Sequence, residues 1–243
     1  MNKKNIVKDL TIITPFKDIN NIRLDKTIRC LYNQDINIVI KHLIIYDYSC
    51  NFISVIKKKY PSKKNYFLRF VSTNKKGIYA AINKGLDLIK KESYYIVIGA
   101  GDLIFLNAIK KIEISNLLMC QYKLSNSNLN INSLRNLYSG MPYCHNAIIF
   151  KFNTLRYSNK YPICGDYDYF LKFIKHERIN LSKNEYFNNQ ISIIFESESG
   201  ISSKSIFKKN FENLLIIYEN LRLKYILVYL LLKIKKLIIR IYD

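Results

Sequence analysis

Residues 77–102 constrain the fold more than any other part of the chain. Their sequence, GIYAAINKGLDLIKKESYYIVIGAGD, begins with apolar side chains at helical spacing, which predicts a helix that ends near residue 90. The apolar run at residues 94–98 follows, and its β-forming residues and flanking turn signals predict a buried strand. Asp102 stands just past that strand, and open α/β sheets bind their ligands at the carboxyl ends of the strands.

The first third of the chain shows the same alternation of helices and strands. Apolar runs and helical spacing predict strands at residues 10–14, 38–46 and 66–71, and helices at residues 21–33 and 53–60. Pro15 is expected to close the first strand, and Asp47 follows the second. Strands that alternate with helices predict an α/β fold with a mostly parallel central sheet flanked by helices.

The later elements complete one domain and add a helical appendage. Strands are predicted at residues 148–152 and 190–195, and a helix is predicted to begin at Asp166, whose carboxylate can cap free N–H groups there. After residue 202 the chain becomes helical and increasingly basic. We therefore expect an α/β domain over residues 1–202 and basic amphipathic helices over residues 203–243.

The charge of the chain points to anionic partners. The 243 residues carry a formal net charge of +21, which favours nucleic acid, anionic membrane or phosphate-bearing substrates. No lysine block alternates with aromatic residues on a recognisable nucleic-acid module, so we predict no nucleic-acid partner. The five cysteines are odd in number and form no C-x-x-C pair, which argues against a disulfide framework or a zinc ribbon and favours reduced thiols in the cytoplasm.

The C-terminal segment combines an apolar run with basic side chains. Residues 225–232 are apolar, and at helical angles one side of the segment collects Arg222, Lys233, Lys236 and Arg240. This pattern predicts an interfacial helix on an anionic leaflet, and hence a peripheral protein on the cytoplasmic face of the membrane. The alternative is a helix that packs on the domain or on a partner subunit. We expect neither a signal peptide nor a membrane-spanning run.

Several segments of the chain resemble glycosyltransferase family 2, a family of inverting enzymes with a GT-A fold. The family pattern G-I-Y-D-A-M-N-K-G is matched at Gly77, Ile78, Tyr79, Ala81, Asn83, Lys84 and Gly85. Asp102 stands where the family ends its next strand with an Asp, and Thr14 with Pro15 matches the family's T-P opening. Residues 141–147, MPYCHNA, resemble the M-P-x-C-H-Q-A segment of a subgroup that assembles cell-surface polysaccharides of the O-antigen or colanic-acid type.

The resemblance covers residues 10–202 and implies a nucleotide-diphospho-sugar transferase fold. It implies a metal site at Asp102 for Mg²⁺ or Mn²⁺, because hard divalent cations prefer carboxylate oxygen. It also implies a set of donor-binding residues: Thr14, Pro15, Asp47, Gly77, Asn83, Lys84 and His145. For His145 the alternative is a structural hydrogen-bonding role, and for Asp47 it is a carboxylate in the turn that ends the strand.

The resemblance further implies the catalytic base. Residues 161–172 resemble the subgroup's I-A-D-Y-D segment, and Asp166 matches its base-bearing position, with Asp168 as the rival two residues away. The implied reaction is inverting transfer of a hexose from a nucleotide-diphospho-sugar to a hydroxyl of a glycan acceptor. A lipid-linked acceptor would account for the basic C-terminal segment.

Two departures from the family pattern keep a second function open. Ala80 stands where the family often has Asp or Arg, and Gly101 leaves one carboxylate where many members have two. Both favour a catalytically inactive member that binds nucleotide or membrane as an assembly factor. A third reading, a basic nucleic-acid-binding protein, rests on charge alone.

Overall fold

The computed structural model describes residues 5–17, 22–47, 53–106, 112–125, 134–181, 186–196 and 205–242. Within these ranges the strands are β1 (Asn5–Ile6), β2 (Asp9–Phe16), β3 (Val39–Asp47), β4 (Tyr66–Thr73), β5 (Tyr94–Val97), β6 (Leu103–Phe105), β7 (Glu113–Ile114), β8 (Leu117–Leu124), β9 (Ile148–Lys151) and β10 (Phe187–Phe195). The α-helices are α1 (Ile22–Tyr32), α2 (Ile53–Lys59), α3 (Ile78–Leu86), α4 (Gly165–His176), α5 (Ile206–Asn220) and α6 (Lys224–Tyr242). The alternation predicted from the sequence is confirmed.

Eight strands form one sheet in the order β4-β3-β2-β5-β9-β8-β10-β6. The four strands β4, β3, β2 and β5 are parallel, as their helical crossovers require. Strand β9 runs antiparallel to both β5 and β8, while β10 is parallel to β8 and pairs with β6 in the antiparallel sense. Strands β1 and β7 form a separate antiparallel pair. The fold is therefore α/β with a mixed central sheet.

The first strand continues through Pro15 instead of ending there. Pro15 lies opposite Ile45 of β3 within the parallel pair. The carbonyl of Ile13 accepts a hydrogen bond from the N–H of Ile98, on the side of β5. In a strand, the backbone polar groups of alternate residues point to the same side, so the nitrogen of Pro15 also faces the side of β5. Strand β5 ends at Val97 and therefore does not extend to a position opposite Pro15. The missing N–H therefore removes no ladder bond to β3.

Helices cover both faces of the sheet. Helices α1 and α2 pack on one face through a cluster that includes Leu24, Ile28, Ile44 and Ile56. Helix α3 lies so close to β2 that a methyl group added at Gly85 would come within 2.8 Å of the Ile13 side chain.

The first two turns of α4 pack on the same face as α3. The hydroxyl of Tyr95 in β5 donates a hydrogen bond to the hydroxyl of Tyr169 at 2.6 Å. Phe150 of β9 makes edge contacts with the rings of Tyr169 and Phe173 of this helix. This packing fixes the start of α4 relative to the carboxyl ends of the parallel strands.

The two C-terminal helices pack against the segment that leads into α4. A second cluster of buried side chains joins the two parts of the chain: Tyr161, Cys164, Tyr167, Leu171, Ile216, Ile217 and Tyr229. The outward face of α6 is aliphatic, with Leu227, Leu230, Leu231, Ile234 and Ile238 all exposed. Lys233 instead lies 5.1 Å from the buried ring of Tyr229, so it does not belong to the outward face.

Among the helices of the described residues, none has the length and apolarity needed to cross a bilayer.

Candidate active site

Residues 99–102 form a tight turn at the carboxyl end of β5, and helix α1 holds this turn in place. The hydroxyl of Thr27 donates to the carbonyl of Asp102 at 2.8 Å and accepts from the N–H of Gly101 at 2.9 Å. Gly101 has φ of +104°, in the left-handed region that favours glycine. A Cβ there would also lie 2.2 Å from Oε2 of Glu196. The turn therefore requires the glycine.

The carboxylate of Asp102 folds back over this turn and is only 9% exposed. Its Oδ1 accepts the backbone N–H of Glu196 at 3.2 Å, and the side-chain amide of Asn146 lies beside the carboxylate. A Cβ at Gly99 would fall 2.6 Å from Oδ2. Burial raises the pKa of Asp102 to about 6, and the hydrogen bonds and the charge of Arg23 oppose that rise.

An ion-pair cluster closes one side of Asp102. Glu196, the residue after β10, accepts hydrogen bonds from Arg23 at 3.2 Å and from Lys26 at 2.8 Å, both on α1. These side chains remain partly exposed, so the pairs contribute little to stability on their own. Their position next to Asp102 nevertheless puts two cations at the carboxyl edge of the sheet, where an anionic ligand would bind.

His145 lies in a buried network of tyrosines. It occupies the short 3₁₀ helix His145–Ala147 before β9, and its Nε2 is 2.6 Å from the hydroxyl of Tyr157. The ring of Tyr157 stacks between those of Tyr169, at 4.0 Å, and Tyr79, at 5.7 Å. Burial lowers the pKa of His145, which favours the neutral ring. The side chain is thus already committed to a hydrogen bond within the core.

Asp166 is the second residue of α4 and is partly exposed. Its Oδ1 accepts the N–H of Tyr167 at 2.9 Å and lies 3.5 Å from the hydroxyl of Tyr79. That hydroxyl donates to the carbonyl of Ile163 at 3.1 Å. The tyrosine ring lies so near the helix start that a Cβ at Gly165 would approach it to 2.7 Å. Helix α3 and the start of α4 therefore meet at Tyr79.

A chain of contacts links the turn of Asp102 to Asp166. The side chain of Asn146 lies beside the carboxylate of Asp102, and the neighbouring His145 is 2.6 Å from the hydroxyl of Tyr157. The ring of Tyr157 stacks on that of Tyr79, whose hydroxyl is 3.5 Å from Asp166. Two of the side chains predicted to do chemistry are therefore joined through one partly buried network.

The side chain of Asp168 lies on the other side of α4 from that of Asp166. It is fully buried, and its two oxygens accept hydrogen bonds from Lys172 at 2.7 Å and from Asn220 of α5 at 3.0 Å. Its carboxylate is engaged between two helices, which leaves Asp166 as the more accessible carboxylate of this turn.

Thr14 is buried in the sheet. Its hydroxyl is 2.9 Å from Nε2 of His42, whose Nδ1 is 2.7 Å from the hydroxyl of Tyr66. A donor contact by the Thr14 side chain would have to compete with this bond. Pro15 lies one residue nearer to the carboxyl end of β2. Asp47 ends β3, but its side chain lies outside the described residues.

The predicted donor-binding residues of α3 lie in three different settings. Gly77, with φ of +103°, is the N-cap of the helix, and a Cβ there would meet nothing within 4 Å. Both polar atoms of the Asn83 amide bond the backbone of Tyr157, at 2.8 and 2.9 Å. Lys84 is exposed in the last turn of the helix. A ligand contact by Asn83 would therefore require replacing two existing hydrogen bonds.

Sequence reasoning missed the partners of Asp102. The backbone of Glu196 bonds its carboxylate, Asn146 lies beside it, and Thr27 fixes its turn. Asn146 lies within the segment MPYCHNA, so its position next to His145 was a usable signal. Thr27 and Glu196 come from distant parts of the chain and carried no signal. Over the described ranges, no three His, Cys, Asp or Glu side chains converge to form a metal site by themselves.

Comparison with known proteins identifies the fold. No family model and no curated protein matches the sequence. Among solved structures, S. aureus TarS 1-349 in complex with UDP-GlcNAc is 14% identical over 87% of this chain, with a TM-score of 0.60. The mannosyltransferase PcManGT from Pyrobaculum calidifontis, in complex with GDP-Man and Mn²⁺, is 11% identical over 86% of the chain, with a TM-score of 0.59.

The match extends over only part of these structures. The chain covers 66% of the TarS fragment, 63% of the mannosyltransferase and 39% of a longer TarS structure. At these identities the comparison concerns backbone architecture. The protein has the GT-A-like α/β fold of these glycosyltransferase structures.

Proposed function

We propose that the protein is a glycosyltransferase that moves a hexose, with inversion, from a nucleotide-diphospho-sugar to a hydroxyl acceptor. The observation that carries this proposal is the chain of contacts, through His145, Tyr157 and Tyr79, between the turn of Asp102 at the carboxyl end of β5 and Asp166 at the start of α4. In open α/β folds the carboxyl edge of the sheet is where ligands bind. The structural neighbours, which are glycosyltransferases bound to UDP-GlcNAc or GDP-Man, support the same reaction class.

Asp102 is the proposed ligand of Mg²⁺ or Mn²⁺. A single protein carboxylate suits such a site, since these cations are often held by one or two carboxylates together with substrate phosphates. Asp102 fits this role because its carboxylate supplies hard oxygen donors at the carboxyl end of β5, while Arg23 and Lys26 are paired with Glu196 beside it. A bound cation would neutralise charge on the leaving diphosphate. The Mn²⁺ in the mannosyltransferase neighbour is consistent with this assignment.

Asp166 is the proposed base. Inverting transfer needs a group that takes the proton of the acceptor hydroxyl as that oxygen attacks the anomeric carbon. The carboxylate of Asp166 is partly exposed, whereas Asp168 is fully buried and bonded to Lys172 and Asn220. Of the two acids in this turn, only Asp166 is open to an acceptor without rearrangement.

The donor is proposed to lie along the carboxyl ends of β2 and β3 and the start of α3. The residues assigned to it remain those predicted from the sequence: Thr14, Pro15, Asp47, Gly77, Asn83, Lys84 and His145. Asn146 joins them, because its amide lies beside the carboxylate of Asp102. The internal hydrogen bonds of Thr14, Asn83 and His145 favour indirect roles, in which these side chains shape the backbone around the donor.

The acceptor is proposed to be a lipid-linked glycan of surface polysaccharide assembly, reached from the cytoplasmic leaflet. The aliphatic outward face of α6 supports membrane contact, and no acidic residue occurs in α6. Lys224 and Lys235 are exposed beside this face, so apolar insertion and attraction to anionic lipid would act together.

A second function, nucleotide or membrane binding without catalysis, is favoured by one observation. Ala80 stands where related sequences often carry a charged donor contact, and in this chain it is buried in α3. In this second function the protein would bind the nucleotide-sugar donor but transfer no sugar.

The decisive experiment has two stages. Thermal unfolding is measured with UDP-GlcNAc and with GDP-Man, each with and without Mn²⁺, because a bound ligand raises stability by mass action. Sugar transfer from the stabilising donor is then compared between the parent and Asp166→Asn, which should lower turnover by roughly 10² to 10⁴. The exposed carboxylate variant Asp87→Asn is the matched control and should retain turnover. Donor binding without any transfer would favour the inactive alternative.

A further inference from the structure

Helix α5 contributes a buried carboxylate to the start of α4. Glu212 is 4% exposed, and its Oε2 accepts the N–H of Ile163 at 3.0 Å and the N–H of Cys164 at 2.8 Å. These two residues directly precede α4, which begins at Gly165. A side chain from the C-terminal helices therefore holds the peptide groups that lead into the helix of Asp166.

Helix α4 lacks the usual side-chain cap. Its N-cap residue, Cys164, makes no side-chain bond to the free N–H groups of the first turn. Glu212 bonds the N–H groups of Ile163 and Cys164 from a different helix, and a charged acceptor makes such bonds stronger than a neutral one does. Its negative charge also lies at the positive end of the helix dipole.

Ile163 is held at both ends of its backbone. Its N–H donates to Glu212 of α5, and its carbonyl accepts from the hydroxyl of Tyr79 of α3. The same hydroxyl lies 3.5 Å from the carboxylate of Asp166. The position of Asp166 thus depends on two helices that approach its turn from different parts of the chain.

The second oxygen of Glu212 indicates that stability alone does not explain this residue. Oε1 is buried and has no hydrogen-bond partner within the described residues. An unsatisfied buried oxygen is unfavourable for folding. A neutral side chain of the same shape could still accept the two N–H bonds.

We propose that Glu212 is a positioning residue that fixes the first turn of α4 and, through it, the carboxylate of Asp166. The inference rests on the proposed function for the role of Asp166 as base. It assigns to α5 a part in the active site, in addition to any contact that α6 makes with a membrane.

The test compares Glu212→Ala and Glu212→Gln with the parent and with Glu219→Gln as a matched control. Glu219 lies on the same helix, but it bonds the side chains of Lys160 and Tyr161 and not the N–H groups at the start of α4. Hydrogen exchange of residues 163–168 measures how strongly Glu212 stabilises the start of α4, and this measurement does not depend on activity. Turnover and the donor KM are measured on the same preparations.

For Glu212→Ala we expect exchange of residues 163–168 to quicken by about tenfold or more, with the exchange of β2 and β5 unchanged. The kcat should fall by about tenfold or more while the donor KM stays within about twofold, because the donor site is untouched. The exchange rates and kcat of Glu212→Gln should lie between those of Glu212→Ala and the parent, because a neutral acceptor makes weaker hydrogen bonds. Glu219→Gln should match the parent.

Three outcomes would overturn the inference: parent-like exchange at residues 163–168, faster exchange spread evenly over the sheet, or faster local exchange with parental kcat. If Glu212→Ala does not fold, the Gln variant decides, since faster exchange confined to residues 163–168 supports the inference and parental exchange refutes it. If the parent transfers no sugar at all, the proposed function fails, whereas the exchange comparison still decides whether Glu212 holds this turn.

Discussion

Acidification is expected to destabilise the protein through His42. This side chain is fully buried under α1, between Thr14 and Tyr66, and burial lowers the pKa of His42 from 6.5 to about 3. His42 therefore stays neutral in the folded protein at pH values at which it is protonated in the unfolded chain. The stability that depends on neutral His42 is fully present above pH 6.5 and is lost as the pH falls towards 3.

The size of the effect follows from the pKa. Each unit of difference corresponds to about 1.4 kcal/mol, so the complete loss amounts to roughly 5 kcal/mol near pH 3. Between pH 7 and pH 5 the unfolded histidine becomes almost fully protonated while the folded one does not. The free energy of unfolding should therefore fall by about 2 kcal/mol over this interval because of His42.

The assay is urea unfolding of the parent and of His42→Gln at several values between pH 7 and pH 5. Asp102 works in the opposite direction, because burial raises its pKa to about 6, so only the difference in slope between the two proteins isolates His42. His176→Gln, at an exposed position of α4, is the control and should keep the parental slope. Identical slopes for the parent and His42→Gln would refute the reasoning.

Three further predictions concern the site and the C-terminal helices. Asp102→Asn should abolish the dependence of UDP binding on Mn²⁺, measured by calorimetry with and without EDTA; equal affinity of the parent in both conditions would contradict the metal assignment. Asp168→Ala should lower the free energy of unfolding by about 2 kcal/mol, because it removes the buried hydrogen bonds to Lys172 and Asn220, while UDP binding stays parental. The double variant Leu227→Gln and Leu231→Gln should lose co-sedimentation with anionic vesicles at low salt, whereas Phe67→Gln, at an exposed apolar site on β4, should retain it.

The elements of the fold could be predicted because their signals are local. The strand predicted at residues 94–98 is observed at Tyr94–Val97, and the one predicted at residues 38–46 is observed at Val39–Asp47. Apolar runs and helical spacing depend on neighbouring residues only. The end of β2 was predicted wrongly because Pro15 can stay in a strand when no partner faces its missing N–H, which depends on where β5 ends.

The surroundings of the candidate site could be predicted only in part. The position of Asp102 at the carboxyl end of a strand could be predicted, because the end of that strand is visible in the sequence. Its neighbours Thr27 and Glu196 could not be predicted, since they reach it from α1 and from the end of β10. For the same reason the bond between Thr14 and His42, which joins two adjacent strands, could not be read from the T-P motif that suggested a donor contact.

The orientation of α6 is a further case in which the sequence left two faces open. Apolar and basic residues alternate around the helix, and a helical wheel alone does not say which side meets the domain. The side chain of Lys233 lies against Tyr229, which is buried through contact with α5, whereas Leu227 and Leu231 point outwards. The support for a membrane-facing helix therefore comes from aliphatic side chains on its outward face, and basic side chains lie beside them.

This arrangement decides how membrane binding should be tested. Deletion of residues 203–243 would remove Glu212, which bonds the start of α4, and Ile216 and Ile217, which fill the core around Tyr161. A truncated chain could then lose vesicle binding and transfer together simply because α4 is no longer supported. Substitutions confined to the outward face of α6 avoid this ambiguity, because those side chains make no contribution to the buried cluster. If such variants bind donor normally but fail on a membrane-embedded acceptor, the loss can be assigned to membrane contact and not to a collapsed start of α4.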